Sequence, residues 1–320
     1  MFFTLMITTF HGMIEVLVIG IAGALIIGGL KSSHNYMPVL SSLFIRITLP
    51  CLIFSNMVTH FHPEEVLTWW VFPLIGITLF LAGGLLAFGY IHIDRSVKYR
   101  GIFTSSVAFH NSILLPLAFA PVLFGPGRLE MFLNLLFLYN ILAIPAFFTV
   151  GVWLINSSAG ERIRIVDFFT PPNSATILGL LFVFSGWNVY IPMWVLRPLT
   201  TFGSLATPLS ILIVGGIIVS SLPKTKVTDW KDPIKITMLK SIVLPAFACL
   251  FVYLVRPTEY IALFIIMGSV MPVSTVIAIV CPSQEEIQKI VAGGILLSSL
   301  ASILAVPLFM GVYGKLYGWK

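Results

Sequence analysis

The chain has 320 residues, 58% hydrophobic and only 9% charged, with a mean hydropathy of +1.04 and a formal net charge of +6. A soluble domain carries roughly 25% charged residues, so a water-soluble globule is excluded. In a chain this apolar the basic excess sets membrane orientation, and no nucleic-acid partner is expected.

The apolar runs are continuous and about 20 residues long, which fits transmembrane helices and not the short alternating strands of a membrane barrel. Taken in order, they predict an all-α polytopic protein in the lipid bilayer. Ten transmembrane helices are expected, at about 8–30, 37–57, 67–91, 101–124, 131–155, 174–191, 199–221, 234–256, 259–280 and 287–314. The opening MFFTLMITTF has no basic n-region and no small-residue cleavage site, so it reads as part of the first helix and not as a removable signal. With the N-terminus outside, the inner loops hold Lys31, Arg95, Lys98, Arg100, Arg162, Arg164, Lys224, Lys226, Lys231, Lys235 and Lys289. The outer side holds the smaller set of Arg128, Arg197, Arg256, Lys315 and Lys320. Both termini are therefore expected to be non-cytoplasmic.

Ten spans divide into two halves, 1–156 and 157–320. ILAIPAF (Ile141 to Phe147) matches ILAVPLF (Ile303 to Phe309), and Pro50, Pro73, Pro116 and Pro145 pair in order with Pro208, Pro245, Pro272 and Pro307. An odd number of spans per unit forces the second unit to insert upside down, so an inverted repeat is expected. The fourth and ninth spans carry proline near their centres, at Pro116 and Pro272. Proline removes an N–H and disfavours helix in the residue before it. Each span is therefore expected to be broken, as two half-helices joined by an extended link. Broken helices in membranes line cavities or pack inside protein, and their N-termini carry partial positive charge and free N–H donors.

The residues around the breaks suit a small organic anion. His110, Asn111 and Ser112 precede Pro116, and Ser269, Ser274 and Thr275 surround Pro272. Asn111 can donate an amide hydrogen bond to a carboxylate. His110 can carry a coupling proton or sit as a neutral hydrogen-bonded histidine. Arg46, inside the second span, can attract the anion or pair structurally. Lys240 is expected to snorkel to the cytoplasmic surface. Neither broken span contains Asp or Glu, so a carboxylate cage for sodium is not visible. The histidines form no HExxH, and no carboxylate pair lies at midplane depth, so no enzyme, metal centre or cofactor is expected. Cys51, Cys249 and Cys281 read as small buried hydrophobes.

Four segments carry a family resemblance: LSSLFIRITLPCLIFSNM (Leu40 to Met57), NSILLPLAFAPVLFG (Asn111 to Gly125), PPNSATILGLL (Pro171 to Leu181) and LATPLSILIVGGII (Leu205 to Ile218). In order and spacing they resemble the auxin efflux carrier family, of the bile acid/auxin/arsenite transporter-like superfamily. The short joint between the halves favours its prokaryotic carboxylate transporters, and hence a prokaryotic plasma membrane. The resemblance implies crossover helices 4 and 9. It also implies a scaffold from about 1–57 and 174–221, and an elevator-like transport domain from about 67–155 and 234–314. Organic anions are the family's cargo, and dimers form through the scaffold. At the crossover, HNSILLP stands where the family often has GNxGNLP, with His110 and Leu114 replacing a glycine and an asparagine. The expected function is secondary active transport of a mono- or dicarboxylate, auxin-like or malate/malonate-like, with H⁺ or Na⁺ as the coupling ion. A sodium-coupled symporter of the bile-acid type and a channel or membrane sensor stay open beside it.

Overall fold

The apolar runs form helices and little else, because hydrocarbon gives backbone N–H and C=O groups no partner outside their own segment. The computed structural model describes residues 2–28, 36–64, 67–155, 170–221, 230–281 and 284–318. Lys31, Arg162, Arg164, Lys224, Lys226, Lys320 and the expected boundary between the halves lie outside the described residues.

Among the described residues the helices are α1 (Phe2–Gly28), α2 (Tyr36–Leu43), α3 (Leu49–His60), α4 (Val71–Ile93), α5 (Arg100–Ala108), α6 (Leu114–Leu123), α7 (Pro126–Ala146) and α8 (Val152–Ile155). The second part of the chain supplies α9 (Pro171–Phe184), α10 (Met193–Ser204), α11 (Ala206–Ser221), α12 (Lys231–Met238), α13 (Leu244–Val255), α14 (Glu259–Val270), α15 (Ile277–Val280) and α16 (Glu285–Tyr317). Among the described residues, seven stretches are long and apolar enough to cross a membrane: Phe2–Ile26, Val39–His60, Val71–Ile93, Gly127–Ile155, Met193–Gly216, Lys231–Val255 and Glu285–Tyr317. They coincide with seven of the expected spans. The sixth span is the shorter α9, of 14 residues. The fourth and ninth are each interrupted.

Three of the long stretches contain a π-turn: Phe44–Thr48, Phe147–Gly151 and Leu239–Val243. Each lies within two residues of a proline, at Pro50, Pro145 and Pro245. Proline cannot bond the carbonyl four residues back and its ring crowds it, and the wider turns just before Pro50 and Pro245 relieve both, whereas Phe147–Gly151 follows its proline. The carbonyl freed by Pro145 belongs to Ile141, and Asn173 Nδ2 of α9 donates to it at 3.4 Å. Asn173 thus repairs a break in the α7 ladder from a different helix.

Helix α1 packs against α11 and α16, α3 against α9 and α10, α4 against α5 and α7, and α12 and α14 against α16. The α1–α11 contact is close because both helices offer glycine: a Cβ on Gly215 would stand 1.9 Å from the Gly20 carbonyl carbon. Small residues let membrane helices approach in this way. Large apolar side chains such as Phe88 and Leu254 face outward, where lipid is their solvent.

Charged groups gather at the two ends of the bundle. At one end Lys98 Nζ meets Glu286 at 2.8 Å and Lys235 Nζ meets Asp94 at 2.8 Å, which ties the α4–α5 loop to α12 and α16. At the other, Arg128 donates to Glu259 at 2.6 Å and the Tyr317 hydroxyl donates to the Pro257 carbonyl at 2.7 Å. Loops expected on one side of the membrane are thus joined to each other.

Candidate functional site

The two interruptions meet. Helix α5 ends at Ala108 and α6 begins at Leu114, while α14 ends at Val270 and α15 begins at Ile277. Between them the chain is extended, and His110 and Val273 form an antiparallel bridge. The Asn111 N–H donates to the Pro272 carbonyl at 2.8 Å, and the Ser274 N–H donates to the Phe109 carbonyl at 3.1 Å. Each link thereby satisfies backbone groups of the other, which is what makes non-helical chain tolerable inside the bundle.

Proline does not sit at the centre of the first break, as the sequence suggests. Pro116 is buried in the first turn of α6, where a missing N–H does no harm. Pro272 lies in the second link and gives its carbonyl to Asn111. The expected pair of opposed half-helices is also unequal. Helix α6 has ten residues, while α15 has four and too few aligned peptides for a developed terminus.

Asn111 is 7% exposed, and its Oδ1 accepts from the Leu115 N–H at 3.3 Å. That bond fixes the amide orientation and caps the first turn of α6. Its Nδ2 makes no hydrogen bond to another described residue and remains a donor at the cavity wall.

Two helices clamp the links, through residues that the sequence reading missed. The Ser112 hydroxyl donates to Asn140 Oδ1, while Asn140 Nδ2 donates to the Ser112 carbonyl at 3.2 Å and the Leu136 carbonyl at 2.8 Å. Next to it, the Tyr139 hydroxyl lies 2.6 Å from His110 Nε2. On α16, Ser298 Oγ accepts from the Val273 N–H at 3.1 Å. The legible signal was an adjacent Tyr–Asn pair within the apolar fifth span. Polar side chains there must have partners. Gly268 makes room for Tyr139, since a Cβ at that position would come within 2.7 Å of the hydroxyl.

A cavity of about 920 Å³ opens beside the links. His110, Asn111, Ser112, Ser274, Thr275 and Arg46 all line it. A second, water-sized pocket of about 10 Å³ touches Asn111, Pro272, Thr275, Ser299 and Ser302. The structure thus brings together most of the residues expected at the site. Two stand apart: Pro116 lines neither space, and the buried Ser269 hydroxyl donates to its own helix at Ile266. Lys240 also departs from expectation. It does not snorkel but is 0% exposed, on the π-turn Leu239–Val243.

Membrane-crossing helices around a largely apolar cavity with a few polar groups define the class: an integral membrane protein with a solute-sized space inside its bundle. A model of the membrane transport protein family matches residues 8–166 and 160–310, nearly the whole chain. The chain belongs to that family, the auxin efflux carriers, and is a membrane transporter. No curated protein matches it.

Proposed function

We propose that this transporter carries a small organic anion, a mono- or dicarboxylate, by elevator-type alternating access. It comprises ten spans in two inverted repeats, 1–156 and 157–320, with α5–α6 and α14–α15 as the crossover helices. A scaffold (about 1–57 and 174–221) forms a homodimer and supports a transport unit (about 67–155 and 234–314). Both termini face away from the cytoplasm, across a prokaryotic plasma membrane. The clamps support the repeat, since Asn140 and Ser298 hold the two links from the fifth and tenth spans, which correspond under it.

The observation that carries the anion reading is the free donor at the crossing. Asn111 spends its oxygen on α6 and keeps its NH₂ for the cavity. An anion there would receive this donor and the partial positive charge of the α6 N-terminus. Arg46 raises the local anion concentration from the cavity wall. Ser274 and Thr275 add hydroxyls, and His110 borders the same space. Ser112 holds the link in shape through Asn140. The coupling ion is H⁺ or Na⁺, and sodium-dependent stabilisation would place the protein with the bile-acid type.

The test is a thermal-shift screen of purified protein with malate, malonate and indole-3-acetate, beside Asn111→Ala. A hydrogen bond to a charged group is worth about 1.5–3 kcal/mol, so the variant should bind at least roughly tenfold more weakly. Equal stabilisation of both proteins would remove Asn111 from the site. Saturable counterflow in vesicles would exclude a channel.

A further inference from the structure

Among the described residues, five buried side-chain polar atoms have no hydrogen-bond partner, and four of them belong to Ser106, His110, Lys240 and Ser241. These four residues lie on α5, on the link that follows it, and on the π-turn Leu239–Val243. That turn and the links share one apolar core, through Leu239, Val243, Phe109 and Val273. His110 has the Ala108 carbonyl nearby, but its Nδ1 reaches hydrogen-bond geometry with no protein group. At the centre of the region is a lysine with 0% exposure and no acceptor for its Nζ.

A buried ammonium without a counter-charge is strongly unfavourable, whereas a neutral amine is tolerable. A lysine kept for packing near a membrane surface would extend its head to water. Among the described residues, the helices packed on the turn bring no carboxylate within ion-pair distance of Lys240. Asp232 and Lys235 of α12 are engaged at the bundle end, as are Glu285, Glu286 and Lys289 in the first turn of α16. Glu259 pairs with Arg128 at the opposite end. Cys249 and Tyr253 on α13 and His92 on α4 supply no anion at its side. His110 lines the cavity, as does its neighbour Phe109, which shares the apolar core with Leu239 beside Lys240.

We propose that Lys240 is the proton-carrying group of this transporter, protonated when an anion occupies the neighbouring cavity and neutral when the anion leaves. The proposal rests on the organic-anion reading above. The step is a simple proton transfer: a proton from water reaches the Nζ lone pair, the amine becomes an ammonium, and no bond of the anion changes. The anion supplies the counter-charge that Lys240 lacks among the described residues. A monoanion and one proton then cross together without net charge movement.

Calorimetric titration of the purified protein with malate, malonate and indole-3-acetate, in buffers of differing ionisation heat, reads the protons bound per anion. Wild type should take up about one proton per anion bound. Lys240→Arg, charged at every accessible pH, should bind the anion and take up none. Lys240→Met, neutral throughout and of similar length, should take up none and should raise the melting temperature. Unchanged proton uptake in either variant would overturn the proposal and move the proton elsewhere, with His110 the next candidate. Loss of binding in both variants would also overturn it, making Lys240 a contact for the anion. Anion binding by wild type without proton uptake would defeat the proposal alone. Binding of no probe, with no counterflow, would defeat the anion carrier and the proposal together.

Discussion

Asn111 and Tyr139 show how single side chains set this site. Asn111 is useful because its two amide ends do different things: the oxygen caps α6 and the nitrogen faces the cavity. Asn111→Asp keeps the cap but replaces the donor with a negative charge, so carboxylate binding should be lost while the melting temperature changes little. A thermal-shift titration checks both. Tyr139 depends on a glycine. Gly268→Ala drives a methyl against the Tyr139 hydroxyl, which must then move from His110. Overpacking of this kind typically destabilises by about 1–3 kcal/mol, and a detergent-based melting curve should fall accordingly. At this scale the sequence disclosed identities better than partners. His110, Asn111, Ser274 and Thr275 were legible because polar residues beside proline in an apolar span need a reason to be there. Asn140 and Ser298 were visible as polar residues within spans, but such a residue does not reveal what it clamps. Lys240 misled because its sequence position near a helix end looks like that of a snorkelling lysine. The π-turn before Pro245 and the packing around it determine its burial.

Helical elements are bent where proline breaks the ladder, and other helices supply the missing bonds. Asn140→Ala would leave the Ser112 carbonyl without its side-chain donor and free the first link. An unsatisfied buried acceptor costs about 1–3 kcal/mol, and hydrogen exchange should rise in residues 109–113 more than elsewhere. The loop between α4 and α5 adds an electrostatic tie. Hydrogen bonds from Lys235 and then Ser96 hold the Asp94 carboxyl well below its usual range. A carboxyl depressed in the folded state contributes stability above its unfolded value, and that contribution disappears as pH falls through the folded one. Asp94→Asn should therefore lower the melting temperature slightly at neutral pH, and the difference from wild type should shrink in strong acid. Periodicity gave the positions of the long helices well, because membrane spans are continuous apolar runs. It could not give the unequal halves of the second break: α14 has 12 residues and α15 only four.

At the scale of the whole molecule, the proposed motion must pass between helices that now touch. Asn56 of α3 donates to Asn134 of α7 at 2.9 Å, a buried bond between the proposed scaffold and transport units. If the units slide, cysteines placed at Asn56 and Asn134, with Cys51, Cys249 and Cys281 replaced by serine, should be bridged by mercury. The bridge should stop transport, and thiol should restore it. Loop charge and span parity speak to membrane orientation alone, because those rules concern insertion and not packing. The meeting of residues 109–113 with 271–276 was only foreshadowed by paired prolines, as no local rule joins segments about 160 residues apart. The central claim is that the cavity at this meeting point binds and carries an organic anion. Uptake of radiolabelled malate, malonate and indole-3-acetate into proteoliposomes preloaded with the same unlabelled anion tests it most directly. The account predicts saturable counterflow for at least one anion, sharply reduced by Asn111→Ala. Counterflow unaffected by that substitution, or none for any anion with wild-type protein, would contradict it.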